Sequence, residues 1–281
     1  MIDILKKAYA EKKVFLTGHT GFKGAWMVEV LHYLGAEITG YALAPETQPS
    51  LYDLLKTGGK CRSVIADICD RERIAAEIND SKPDFIFHLA AQAIVRRSYS
   101  QPVDTFMTNV MGTANLLDGM KTLEGPCSTV IITTDKVYEN KEWWYPYREN
   151  DHLGGYDPYS ASKACAEIVA SAYRSSYFNS ATYLTHKKAV ATARAGNVIG
   201  GGDWSTDRII PDLIRSLEAK EPLTVRNPLA VRPWQHVLEP IGAYLWLGLR
   251  LNSDPEAYAQ AYNFGPYPED TLPVQSLVEM A

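Results

Sequence analysis

Neither sign of charge dominates this chain of 281 residues: 28 Lys and Arg stand against 33 Asp and Glu, a formal net charge of −5. Binding to a phosphate backbone needs a basic face, and no Lys/Arg-rich run occurs, so a nucleic-acid partner is not expected. No stretch approaches the roughly 18 apolar residues that span a bilayer, so no membrane partner is expected. The start, Met1-Ile2-Asp3-Ile4-Leu5-Lys6-Lys7, lacks the order of a secretory signal and reads as cytoplasmic. Cysteine is scarce. Cys61, Cys69, Cys127 and Cys165 fall at spacings that match no zinc or redox motif, so they are read as small packing residues and no metal site is expected. Internal repeats and low-complexity segments are missing too. What remains is an ordinary globular composition, 46% hydrophobic and 22% charged, which excludes a disordered tail, collagen or a disulfide scaffold. The length leaves room for one large α/β domain, or for a dinucleotide-binding domain with a smaller lobe.

Strand and helix signals alternate through the first two thirds of the chain. Short β-rich runs are expected at 13–18, 38–43, 62–66, 84–89, 129–134 and 190–195. Helical spacing is expected at 21–34, 71–79, 103–120 and 159–177, with a Trp/Tyr/Pro-rich loop at 142–158. Near-continuous apolar strands separated by helices are what a parallel sheet covered on both faces requires, so the fold class is α/β, doubly wound in the Rossmann manner. From Gly196 onward the pattern loosens into a helix near 210–217, a strand at 223–225 and an apolar helix at 237–249. This gives a division into a dinucleotide-binding domain, 1–195, and a smaller mixed substrate lobe, 196–281, over the strand ends where open α/β sheets bind ligands.

Gly18-His19-Thr20-Gly21-Phe22-Lys23-Gly24 spaces glycines three apart at the first strand-to-helix junction. Glycine lets the backbone turn tightly and approach a pyrophosphate, while the helix N-terminus offers free N–H groups. Alone, the pattern is as compatible with a plain tight turn; its place between the first strand and a helix favours a cofactor. Lys23 in the first helical turn either reaches a phosphate or is solvated. An acidic residue about 20 positions on would hold the adenosine ribose, and this sequence has Tyr41-Ala42-Leu43-Ala44 instead. No Arg or Lys lies between Ile38 and Leu55 either, so NAD is favoured over NADP, with modest affinity.

Tyr159-Ser160-Ala161-Ser162-Lys163 places a phenol and an ammonium one turn apart on one helical face. A tyrosine near its ordinary pKa is a poor base at neutral pH, and a nearby cation lowers that pKa, so the pair can take a proton from a hydroxyl while hydride leaves the same carbon. A surface pair is the bland alternative. The order of glycine turn, strand-end Thr133-Thr134, then Tyr-x-x-x-Lys is more specific than any one element. Asp135 and Lys136 follow at once; a carboxylic acid beside an ammonium suits water elimination next to a ketone, although a loop salt bridge has the same appearance.

These residues resemble the extended short-chain dehydrogenase/reductases and, within them, the CDP-glucose 4,6-dehydratases. The resemblance covers essentially the whole chain. It rests on Thr17 to Gly24, on Thr134-Asp135-Lys136-Val137-Tyr138-Glu139-Asn140, on Gly154 to Ser160 leading to Lys163, on Arg194 to Trp204, and on Arg232-Pro233-Trp234-Gln235-His236-Val237. Lys136 separates the CDP-glucose enzymes from the dTDP-glucose enzymes, which usually carry Asp-Glu. The resemblance implies bound NAD and a CDP-glucose substrate, with Tyr159, Lys163 and Thr134 deprotonating the 4-hydroxyl and Asp135 and Lys136 sharing the elimination in either order. It places Asp67 and Ile68 at the adenine, where Asp67 reads equally as a turn cap. Leu89, Ala90, Ala91, Gln92 and Thr108 fall beside the cofactor, and Asn197, Arg208 and Arg232 on the nucleotide diphosphate, where an arginine could instead be a structural ion-pair residue. The helices at 103–120 and 159–177 correspond to those that pair in a homodimer. Relatives continue for several tens of residues past Asn263-Phe264-Gly265-Pro266, so the chain ending at Ala281 is expected to lack part of its substrate lobe. A nucleotide-sugar 4-epimerase and a non-catalytic NAD-binding regulator are the competing readings.

Overall fold

The structure is a computed structural model, described here for residues 1–280. Ten strands form two sheets: β1 Lys13–Thr17, β2 Glu37–Ala42, β3 Arg62–Ile65, β4 Phe85–His88, β5 Cys127–Ile132, β6 Lys188–Ala195, β7 Asn197–Ile199, β8 Val231–His236, β9 Ala261–Phe264 and β10 Thr271–Pro273. Seven of them run in the order β3-β2-β1-β4-β5-β6-β9, every pair parallel. The order reverses between β1 and β4, and ligands of such sheets bind in the crevice outside the strand ends at that switch.

Alternation of side chains decides which layer each strand feeds. Val14, Leu16, Phe85, Phe87, Val130 and Ile132 enter one core, under the helices Ile2–Tyr9, Phe22–Tyr33 and Leu238–Ser253. Phe15, Ile86, Ile131 and Val190 enter the other, under Arg71–Ser81, Gly112–Gly119 and Pro158–Ser176. Both faces are dry, which is why the strands read as apolar runs rather than as alternating ones.

Several boundaries differ from the sequence expectation. The helix expected at 103–120 is Pro102–Phe106, a π-helical turn Met107–Met111, then Gly112–Gly119. No strand forms at 223–225: Leu223 and Val225 are half-buried around an exposed Thr224, so the two-residue alternation is real, but no neighbouring strand pairs with it. The division at 195/196 also moves. The helix Leu238–Ser253 packs on β5 and β6, and β9 extends the large sheet beside β6, so much of the C-terminal third belongs to the dinucleotide-type layer. The smaller lobe is the sheet β10-β8-β7 with the amphipathic helix Ile209–Ala219. Among the described residues no helix is long and apolar enough to cross a membrane, no His/Cys/Asp/Glu cluster could hold a metal, and the four cysteines are free thiols.

Candidate active site

At the end of β1 the chain turns at Gly18 with φ +77°, and a Cβ there would lie 2.8 Å from the amide nitrogen of Ala90. A Cβ on Gly24 would lie 2.0 Å from the Gly18 carbonyl oxygen, so both positions require glycine. Gly21 caps the helix Phe22–Tyr33 without any side-chain hydrogen bond, which leaves the first N–H groups of a twelve-residue helix facing the crevice. The turn therefore has the close backbone approach and positive helix end that a pyrophosphate needs.

The side chains in this turn divide their work. His19 is fully buried, with Nε2 2.7 Å from Ser63 Oγ and its ring where a Cβ on Gly40 would fall. Burial lowers its pKa to about 4, so the ring is neutral packing that pins the turn to β2 and β3, and only its backbone remains for a ligand. Thr20 donates to the Leu43 carbonyl at 2.8 Å, and Phe22 packs on the first core. Lys23 extends the other way, its Nζ 5.9 Å from the centre of the Tyr244 ring. Burial and the neighbouring Arg208, Lys163 and Lys136 lower its pKa to about 8, against the pull of Asp135.

Where a ribose-binding acid would stand at the end of β2, Leu43 is exposed, and Tyr41 turns into the second core to donate to the Asp67 carbonyl at 2.7 Å. Asp67 Oδ1 accepts from the Cys69 amide at 2.9 Å, which makes its carboxylate a turn cap on an exposed residue. Ile68 lies in the second core, where a Cβ on Gly112 would meet it at 2.7 Å, so its side chain packs rather than lining the crevice. Thr108 sits on the π-helical turn and hydrogen-bonds Cys69.

The loop after β4 is held from below. Thr17 Oγ1 accepts from the amides of Leu89 and Ala90, each at 3.1 Å, and Ala91 follows them toward Gln92. The amide of Gln92 donates to Asn109 Oδ1 at 2.8 Å, and Asn109 Nδ2 donates to Ser162 Oγ at 2.8 Å. Sequence reasoning passed over Asn109. Its signal was a polar residue within an apolar helical stretch, on what proves to be the π-helical turn.

At the end of β5, Thr134 donates to Asp135 Oδ1 at 2.9 Å, and Lys136 Nζ donates to the same oxygen at 3.1 Å. Asp157 starts the next helix by accepting from the Ser160 amide at 3.0 Å, with Pro158 in the first turn, and the register of that helix presents Tyr159 and Lys163 to the strand end. Lys163 is buried and donates to the Ile132 carbonyl at 2.8 Å. Burial lowers its pKa to about 8, opposed by Glu167. Burial raises the Tyr159 pKa, and the cations that pull it back are Lys136 and then Arg208, together with a hydrogen bond to Thr134. Lys136 is thus a cation at Tyr159 that the Tyr-x-x-x-Lys spacing did not point to, while the Lys163 ammonium is turned to the strand carbonyl.

Across the crevice, Asn197 Oδ1 is buried with no hydrogen-bond partner in the chain, as expected of a group awaiting a ligand. Arg208 is held by Asp203 at 2.9 Å, the structural ion pair the sequence left open, while still contributing charge at Tyr159 and Lys23. Arg232 lies on β8 and donates to the adjacent Val231 carbonyl at 2.9 Å. The site thus joins a phosphate-type cradle to a half-buried phenol and a carboxylate–ammonium pair, groups able to move protons on an alcohol beside a leaving hydroxyl.

Comparison with known proteins agrees with this geometry. The model of the NAD dependent epimerase/dehydratase family matches residues 14–265. A CDP-glucose 4,6-dehydratase of Salmonella typhimurium is 49% identical over 279 residues, covering 99% of this chain and 77% of that protein. A dTDP-glucose 4,6-dehydratase of Streptomyces venezuelae, solved with NAD bound, superposes with a TM-score of 0.77 at 25% identity, covering 95% of this chain and 79% of that one. An epimerase of Methanothermobacter thermautotrophicus superposes with a TM-score of 0.80 at 21% identity, over 100% of this chain and 79% of that one, and shows the same fold.

Proposed function

We propose that this chain, which belongs to the NAD dependent epimerase/dehydratase family, is a CDP-glucose 4,6-dehydratase, an NAD-dependent enzyme that converts CDP-glucose to CDP-4-keto-6-deoxyglucose and water. The observation that carries this reading is the Asp135–Lys136 pair, 3.1 Å apart at the strand end beside Thr134 and Tyr159. A 4-epimerase oxidises and reduces one carbon and has no use for a second acid and base there.

Gly18, Gly21 and Gly24 shape the cofactor cradle, and the uncapped helix start and Lys23 face its negative charge. Held in that cradle, NAD would supply the hydride acceptor for C4 and the hydride donor for C6. Tyr159, hydrogen-bonded to Thr134, facing the Lys136 and Arg208 charges and one helical turn from the Lys163 ammonium, accepts the 4-hydroxyl proton. A ketone at C4 makes the C5 proton acidic. The hydrogen-bonded Asp135–Lys136 pair takes the C5 proton and delivers one to the C6 oxygen, which leaves as water, and the proton C5 regains as C6 is reduced balances the one Tyr159 took from the 4-hydroxyl. Arg208 and Arg232 bind the diphosphate, and the unpartnered oxygen of Asn197 accepts from a donor group of the nucleotide sugar.

The second proposal concerns assembly. Val103, Phe106, Met107 and Met111 on the segment 102–111, with Ile168 on the adjacent helix, form an exposed apolar face, and a second copy of this chain is its occupant. The four free thiols suit a cytoplasmic setting.

The test is incubation with NAD⁺ and, in parallel, CDP-, dTDP-, UDP- and GDP-glucose, followed by product mass. Loss of one water from the CDP-sugar with little from the others is the expected result. An isomer of unchanged mass makes the enzyme an epimerase, loss of water only from another nucleotide sugar corrects the base, and bound NAD⁺ without any product favours a regulator.

A further inference from the structure

One helical turn beyond Lys163 lies a buried charge pair that the mechanism above leaves unused. Glu167 is 3% exposed and Arg194 4%, with Arg194 Nη2 2.8 Å from Glu167 Oε2. The carboxylate takes two further donors: the Thr133 hydroxyl on Oε1 and the Thr192 hydroxyl on Oε2, the latter at 2.7 Å. Thr133 immediately precedes Thr134 beyond β5, and Thr192 and Arg194 project from β6 on the face toward the catalytic helix. One side chain of that helix therefore holds the ends of both strands. Arg194 continues the connection, donating from Nη1 to the Tyr138 hydroxyl at 2.7 Å and to the Glu149 carbonyl at 2.9 Å. Tyr138 in turn donates to Asn263 Oδ1 at 2.6 Å. The loop between Lys136 and Tyr159 is thus tied to the pair near its start, at Tyr138, and again midway, at Glu149.

A buried ion pair is no better for stability than apolar residues of the same shape, so packing gives no reason for charge here. The charge has a target. Lys163 is buried, with the Ile132 carbonyl as its hydrogen-bond acceptor. The charged or titratable groups that interact with it are Lys23 from the helix Phe22–Tyr33, a second cation; His88 from β4, which burial keeps neutral; and Glu167 on its own helix. Of these, Glu167 is the fully buried anion.

We propose that Glu167 is a positioning residue of the reaction: its carboxylate, clamped by Arg194, sets the strand end bearing Thr133 and Thr134 against the helix bearing Tyr159 and Lys163, and keeps Lys163 an ammonium at the working pH. This rests on the reading of Tyr159 and Lys163 as residues of the hydride step.

The experiment compares kcat/KM against pH for the wild-type enzyme, Glu167→Gln and Glu167→Asp with CDP-glucose and NAD⁺. Removing the anion lowers the Lys163 pKa, so the alkaline loss of activity should begin about one pH unit lower in Glu167→Gln and return toward its original position in Glu167→Asp. NAD⁺ affinity against pH, read by tryptophan fluorescence, should show the same displaced limb and needs no sugar. An inactive wild-type enzyme would therefore overturn the dehydratase reading and leave this one under test. Since Glu167→Gln strands the Arg194 charge, the neutral pair Glu167→Gln/Arg194→Gln is made as well and should show the same displacement. A uniform fall in rate, or a lower melting temperature, with the limb unmoved in both measurements makes Glu167 a purely structural residue and overturns the proposal.

Discussion

Lys136 Nζ and Thr134 Oγ1 converge on a single oxygen, Oδ1 of Asp135, at 3.1 and 2.9 Å. Two donors on one carboxylate oxygen link the threonine of the oxidation step to the pair assigned to elimination. Asp135→Asn keeps the shape and removes the proton acceptor, so the two steps should separate. Reduction of bound cofactor, followed by absorbance in a single turnover, is expected within a few-fold of wild type, while water loss falls by about 10²-fold or more. Parallel loss of both steps would remove Asp135 from its assigned role.

Lys136 is the first of the cations that lower the Tyr159 pKa against burial. Lys136→Met removes that pull, and a base with a raised pKa is lost at higher pH. The acid limb of cofactor reduction should therefore move upward in Lys136→Met and stay in place in Lys136→Arg. An unmoved limb in the methionine variant would place the activating charge on another residue.

The three glycines of the turn are not equivalent. Gly24→Ala puts a methyl 2.0 Å from a backbone oxygen and should cost about 3 kcal/mol or more, read as a fall in the urea midpoint. At Gly21 the added Cβ would sit 3.5 Å from the same oxygen, on a backbone at φ −78°. Gly21→Ala should fold with stability within about 0.5 kcal/mol of wild type and lose NAD⁺ affinity, because the methyl stands where the pyrophosphate approaches.

Stability should fall in mild acid for a reason visible in two histidines. Burial lowers the pKa of His19 to about 4 and that of His88 to about 3. Between pH 6.5 and those values the unfolded chain binds protons that the folded chain refuses, so stability is complete above 6.5 and declines as pH falls. At pH 5.5 each should cost about 1.4 kcal/mol. Urea midpoints at pH 7.5 and 5.5 check this, and His19→Gln should make the pH dependence shallower.

Ile168→Glu and Met111→Glu place charge on the exposed apolar face of the helices 102–119 and 158–176. Light scattering on a sizing column should give a dimer for the wild-type chain and a monomer for each variant. A monomeric wild type would leave that face without the proposed partner.

Much of the site was legible because its signals are local. A glycine at +77°, a helix start without a capping side chain, and a tyrosine four residues before a lysine are each set within a few consecutive residues, and the doubly wound class was legible in the alternation of apolar runs with helical spacing, whereas the strand order came from the structure. Sequence alone also foresaw the missing ribose acid, where Leu43 is exposed. What it left open depended on contacts made only in the fold. Asp67 gained a turn-capping hydrogen bond from Cys69 and Arg208 an ion pair with Asp203, partners that local spacing does not reveal. The strand at 223–225 had the alternation but found no edge to pair with, and β9 crossed back to β6 past the expected domain boundary. The charges on Tyr159 followed the same rule: sequence spacing put Lys163 one turn away, whereas the fold turned that ammonium to Ile132, added Lys136, and set Glu167 behind Lys163 from a helix, two strands and a loop that meet only in three dimensions.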